Sequence, residues 1–210
     1  MYQKEEVRRA PYANRDFDKN LPPQLTEDQQ NALQEISIAL ERDDSEPIVL
    51  KGVTGSGKTE VYLQAIDRVL KQEQEAIVLV PEISLTPQTI ARFKGRFGEQ
   101  VAVLHSQLST GERFDEWRQI KTGKVKIVVG ARSAIFAPFT NLGIIIIDEE
   151  HETSYKQSEH PKYHAREVAV KRSQLTGAVT LFGTATPSLK AYYCTQEKDY
   201  KLIELPKRID

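Results

Sequence analysis

The chain has 210 residues, which at ordinary domain size allows roughly 1.4 domains, so one α/β domain with an arm accommodates it. Hydrophobic residues make up 39% and charged residues 28%, the balance of a soluble globular chain, and no apolar run nears the ~20 residues that span a bilayer. Lys+Arg 29 against Asp+Glu 30 leaves a net charge of -1, which excludes a polycationic coat for nucleic acid but leaves room for a local basic groove.

A single cysteine, Cys194, excludes a disulfide framework and a zinc ribbon within this chain. No basic segment followed by an apolar one comes after Met1. A cytoplasmic protein without membrane attachment is expected.

Residues 1–24 are polar and broken by Pro11, Pro22 and Pro23, which predicts an extended arm. Thr26 predicts a helix N-cap, with Glu27 and Asp28 in the first turn and Ala32, Leu33, Ile36 and Leu40 at helical spacing. Apolar runs at 48–50, 77–80, 101–104, 127–129, 144–147 and 179–182 then alternate with helical patterns near 58–72, 86–97, 112–121, 165–175 and 187–195. That alternation predicts an α/β fold, a mostly parallel sheet with helices on both faces, over 25–198. Such sheets hold their ligands at the carboxyl ends of the strands. Tyr200 to Leu205 reads either as a last strand or as a lead into something further, and 199–210 is assigned as the start of a linker.

The first run leads into Gly52, Thr54, Gly55, Ser56, Gly57, Lys58 and Thr59, the pattern G-x-x-x-x-G-K-[ST] between a strand and a helix. The glycines let consecutive backbone N–H groups face phosphate oxygens. Lys58 adds a positive charge toward the β and γ phosphates, and Thr59 offers a hydroxyl to Mg²⁺. An accidental match in a chain this long has a chance of roughly one in a hundred, before the flanking strand and helix are counted. ATP with Mg²⁺ is the expected ligand, and Glu60 is included among the nucleotide-binding residues.

Four consecutive isoleucines at 144–147 end in Asp148, Glu149, Glu150 and His151. An apolar strand ending in adjacent acids suits a metal-holding Asp148 and a Glu149 that polarises the attacking water. Read alone, the same residues would serve as a polar strand terminus. The lone tryptophan, Trp117, lies at helical spacing among 114–120 and reads as packing.

The DEEH string at 148–151 resembles motif II of superfamily 2 helicases. GTATPS at 183–188 is similar to their motif III, and LTEDQ at 25–29 to their adenine-reading Q motif. LVPEISLTPQ at 79–88, GARSAIFAPF at 130–139, SYKQ at 154–157 and YHAREVAV at 163–170 resemble, more narrowly, the primosomal replication-restart helicases. The similarity runs from Leu25 to Leu189. Thr184 and Ala131 stand where many relatives carry Ser and Thr, and Pro161 where they often carry an aromatic.

The resemblance implies a RecA-like first lobe of a 3′→5′ DNA helicase, with Gln29 at the adenine. Glu150, His151, Thr184 and Thr186 would couple ATP to DNA. Pro81, Glu82, Ser84, Thr86, Arg132 and Ser133 would contact a DNA strand. In the loop after the acids, Tyr155 and Tyr163 would stack on bases while Lys156, Lys162 and Arg166 meet phosphates. The partners implied are single-stranded or forked DNA, other primosome proteins and single-stranded DNA-binding protein. Zinc is implied for the full-length family but not in this chain. The second lobe, with its arginine finger, is also absent, so this lobe is expected to bind ATP, hydrolyse it slowly and not unwind DNA. Competing classes are a DNA-independent P-loop enzyme such as a nucleotide kinase, and a docking module with a vestigial nucleotide site.

Overall fold

A computed structural model describes residue 12, residues 17–42 and residues 46–209. Most of the predicted arm, Pro11 included, lies outside the described residues. The elements are α1 (Glu27–Glu41), β1 (Ile48–Gly52), α2 (Lys58–Lys71), β2 (Glu75–Leu79), α3 (Pro87–Phe97), β3 (Val101–Leu104), α4 (Thr110–Lys121), β4 (Ile127–Gly130), β5 (Leu142–Ile147), α5 (Ala165–Thr176), β6 (Val179–Thr184), α6 (Leu189–Gln196) and β7 (Lys201–Leu205). The strands form one sheet in the order β3-β4-β2-β5-β6-β1-β7. Every pairing is parallel. The sheet is thus the predicted RecA-like α/β fold, wholly parallel. Among the described residues no helix is long and apolar enough to cross a membrane.

Continuous apolar runs give these strands because both faces are covered. In β5, Ile144 and Ile146 join the core on one side of the sheet, and Ile145 and Ile147 the core on the other. Each fully buried isoleucine contributes about 1.5–3 kcal/mol of transfer free energy. The edge strand β3 is not left open: Glu116 of α4, buried, accepts the Val103 amide at 3.2 Å.

Helix starts follow the capping chemistry. Thr26 and Gln29 form a capping box on α1, as do Ser109 and Glu112 on α4. Thr86 caps α3 and Ser188 caps α6.

The linker assigned to 199–210 is corrected. Lys201–Leu205 pairs with β1 from Ile48 to Gly52 and closes the sheet as β7. Its side chains alternate between partly buried and exposed, ending in buried Leu205. That is the pattern of an edge strand covered on one face.

Candidate nucleotide site and adjoining groove

β1 and β5 flank β6, so the phosphate loop and the acidic strand end face one crevice. The loop closes with the Ser56 amide on the Val53 carbonyl at 3.0 Å. Gly55 and Gly57 stand at φ +82 and +76, in the left-handed region where a side chain is strained. A side chain on Gly57 would also collide with the Gln29 amide. The Lys58 ammonium rests on the Gly52 carbonyl at 2.8 Å. The Ser56 hydroxyl is buried with no hydrogen-bond partner among the described residues, an open donor in the cradle.

Gln29 sits against the phosphate loop. It is buried, its Nε2 donates to the Ser56 carbonyl at 3.0 Å, and its Oε1 accepts the Thr26 amide at 2.9 Å. Gln29 thereby ties the start of α1 to the phosphate loop. Glu60 lines the crevice as well. Its carboxylate is held by the Arg96 guanidinium at 2.9 and 3.1 Å, tying the first turn of α2 to α3.

Across the crevice, Asp148 accepts a hydrogen bond from the Tyr62 hydroxyl at 3.0 Å. Burial raises the Asp148 carboxyl above its ordinary range, the neighbouring Glu149 charge adds to that, and the Tyr62 bond and Lys58 charge oppose it. Burial, reinforced by Asp148, holds the Tyr62 hydroxyl well above its usual value, so it remains a donor. Gly183 leaves room for that hydroxyl. Glu149 sits at φ 46, a left-handed conformation costing a non-glycine residue about 1 kcal/mol or more, and such strain concentrates at functional sites. A cavity of about 490 Å³ is bordered by residues 54–59, Asp148 and Glu149, with Asn20 and Arg92 on its rim. The oxygen donors of Thr59 and Asp148 suit a hard cation such as Mg²⁺.

Glu150 is fully buried. Its carboxylate accepts the Ser188 amide at 2.6 Å, the Ser188 hydroxyl at 3.0 Å, and the Arg166 guanidinium. Arg166 also donates to the Ser188 hydroxyl at 2.6 Å. His151 Nδ1 meets the Thr184 hydroxyl at 2.9 Å, and the Thr186 amide donates to that hydroxyl at 3.1 Å. The four residues expected to couple the sites therefore stand in two linked clusters at the ends of β5 and β6.

Two of the expected DNA contacts are overturned by burial and pairing. Tyr155 is 0% exposed and offers no face to a base; its hydroxyl donates to the carbonyls of Asp148 at 2.6 Å and Leu79 at 3.2 Å. Arg166 is committed to Glu150, not to a phosphate. Tyr163, partly exposed, packs edge-on against Phe136 with centroids 5.0 Å apart and lies 5.9 Å beneath the Arg132 guanidinium. Arg132 donates to the carbonyls of Ser154 at 3.0 Å and Lys156 at 2.7 Å, fastening the loop after β5 to the end of β4. Lys156, Lys162 and Ser133 are exposed. Pro81 is buried and the Thr86 hydroxyl is occupied as a helix cap, whereas Glu82 is exposed and Ser84 partly so.

Trp117 is likewise not core. It is 38% exposed and borders a groove of about 440 Å³ beside Arg132 and Ser133. Sequence reasoning also missed Tyr62, Tyr155's anchoring role and Arg92. Tyr62 stands one helical turn after Lys58, the signal that could have found it.

Fold and site together define a RecA-like lobe with a phosphate loop, of the kind found in helicases. The chain belongs to the family described as type III restriction enzyme, res subunit, which matches residues 23–189. It is 57% identical over 206 residues to replication restart protein PriA of Bacillus subtilis (strain 168), covering 98% of this chain and 26% of that protein. It is 49% identical to replication restart protein PriA of Haemophilus influenzae, covering 76% of this chain and 22% of that protein. The chain thus spans about a quarter of the length of these curated relatives. Among solved structures it resembles RecG bound to a three-way DNA junction, with TM-score 0.65 and 25% identity over 90% of this chain and 25% of that one.

Proposed function

We propose that this chain is the ATP-binding lobe of a DNA-stimulated ATPase, a 3′→5′ DNA helicase that acts in replication restart and primosome assembly in the cytoplasm. The observation that carries the reading is one sheet edge bearing both halves of such a machine. The phosphate loop and Glu149 lie at one end of that edge, and the groove beside Arg132 at the other. The Asp148–Tyr155 contact and the bonds from Arg132 to the Ser154 and Lys156 carbonyls join them. The relatives' name, replication restart protein, and RecG's DNA junction support the direction of the reading.

In this mechanism backbone amides of residues 54–59 and the Lys58 ammonium receive the phosphates, and Lys58 must first leave the Gly52 carbonyl. Thr59 and Asp148 would hold Mg²⁺, which would draw charge from the phosphate oxygens. Glu149 orients and polarises the attacking water. Thr184 and Thr186, fixed to His151, carry the γ-phosphate state toward the groove, where Arg132 and Ser133 position a DNA strand without reading its sequence. Tyr163 and the exposed Lys156 and Lys162 extend that contact. Single-stranded DNA-binding protein and the other primosome proteins are the proposed partners.

An opposing arginine from a second lobe would complete the charge stabilisation. This chain by itself is therefore expected to bind ATP, hydrolyse it slowly and unwind nothing. The test is a Glu149→Gln variant of the full-length protein, which should bind ATP and lose hydrolysis. Normal turnover in that variant would refute the assignment, and robust unwinding by the 210-residue chain would refute its incompleteness.

A further inference from the structure

We infer that the groove beyond Arg132 holds a base-stacking subsite for single-stranded nucleic acid, with the Trp117 indole as its platform. The subsite rests on the DNA reading above and extends it to residues outside every motif that reading used. The inward face of α4 is made by Asp115, Glu116, Gln119 and Ile120. Trp117 is left 38% exposed on the groove wall. Arg113, one helical turn earlier, is exposed on the same wall, and its guanidinium reaches the Ser106 carbonyl at 3.5 Å. Arg132 and the exposed Ser133 border the groove from the end of β4. Glu82, the one carboxylate on the groove lining, takes the Ser106 hydroxyl.

An aromatic face lining the same groove as two arginines is the chemistry that takes a base and its flanking phosphodiesters without regard to sequence. The indole is apolar and flat, whereas an acidic peptide would call for cations alone. The groove of about 440 Å³ also leaves space for a ring to lie against it. A strand laid on Arg132 and Ser133 reaches Trp117 without leaving the carboxyl edge of the sheet.

Trp117 is the only tryptophan of the chain, so its emission reports this position alone. The 210-residue chain is titrated at low salt with a short oligothymidylate and with a matched oligonucleotide of abasic sites. Binding is followed in parallel by anisotropy of a labelled strand. Saturable quenching by oligothymidylate, with little quenching by the abasic strand, is expected. Trp117→Leu should weaken oligothymidylate binding by about 5- to 100-fold, and Trp117→Phe should retain most of it. A thermal melt checks that both variants are folded, and the wild-type quenching needs no variant. Anisotropy showing binding without an emission change, or equal quenching by the abasic strand, overturns the subsite alone. No binding of either strand overturns the subsite together with the DNA reading beneath it.

Discussion

The end of β5 and the groove beside β4 lie on the same sheet edge but are built in opposite ways. At β5, Asp148, Glu150, Tyr62, Tyr155 and Arg166 are interlocked, with their polar atoms spent on one another or on backbone carbonyls. At the groove, Arg113, Trp117 and Ser133 remain open to solvent. Preorganised charge suits chemistry, because nothing has to reorient when the transition state forms. Open side chains suit a strand that must be held and released. Substitutions at the first region should therefore change turnover and stability, whereas those at the second should act through affinity.

The largest expected effect is on chemistry. Glu149→Gln should lower turnover in the full-length protein by about 10²–10⁴-fold with nucleotide affinity kept, measured by steady-state hydrolysis beside ATP binding. Next is Glu150→Ala, which strands the Arg166 charge and should cost about 3–5 kcal/mol in denaturant melts. An unchanged midpoint would mean that the interlock contributes nothing. Tyr155→Phe should cost about 1–2 kcal/mol, because the Asp148 carbonyl loses its partner. A smaller effect is expected from Asp148→Asn, which should raise the melting temperature of the ligand-free chain at neutral pH. The raised Asp148 value means that the folded state binds its proton more tightly than the unfolded one. Its stabilisation is complete below the ordinary carboxylate value and is lost as pH rises through the raised one. The Asn variant should lack that slope in melts taken across acid pH. The smallest effect on stability is at the groove, where Arg113→Ala should stay within about 0.5 kcal/mol of wild type while weakening oligonucleotide binding.

The same contrast explains how far the sequence could be read. The phosphate loop and the acids at 148–151 are contiguous strings whose meaning is local, and the six apolar runs named their strands to within a residue or two. β7 stayed ambiguous because an edge strand with polar alternation resembles a linker. Tyr155 and Arg166 were misjudged because a tyrosine or arginine in a loop looks available until its long-range partners are known. For Tyr155 those partners include Leu79, distant in sequence, and for Arg166 they include Ser188. Trp117 was misjudged for the opposite reason: helical spacing suggested packing, yet α4 turns acids and amides inward, where Glu116 serves the edge strand β3.

The nucleotide site and the proposed DNA groove should act as one machine. Steady-state ATP hydrolysis by the full-length protein, with and without single-stranded DNA, tests it most directly. A rise in rate that saturates with DNA is predicted, lost in Lys58→Ala and weakened in Arg132→Ala. An unchanged rate at saturating DNA, with DNA binding confirmed in the same sample, would contradict it.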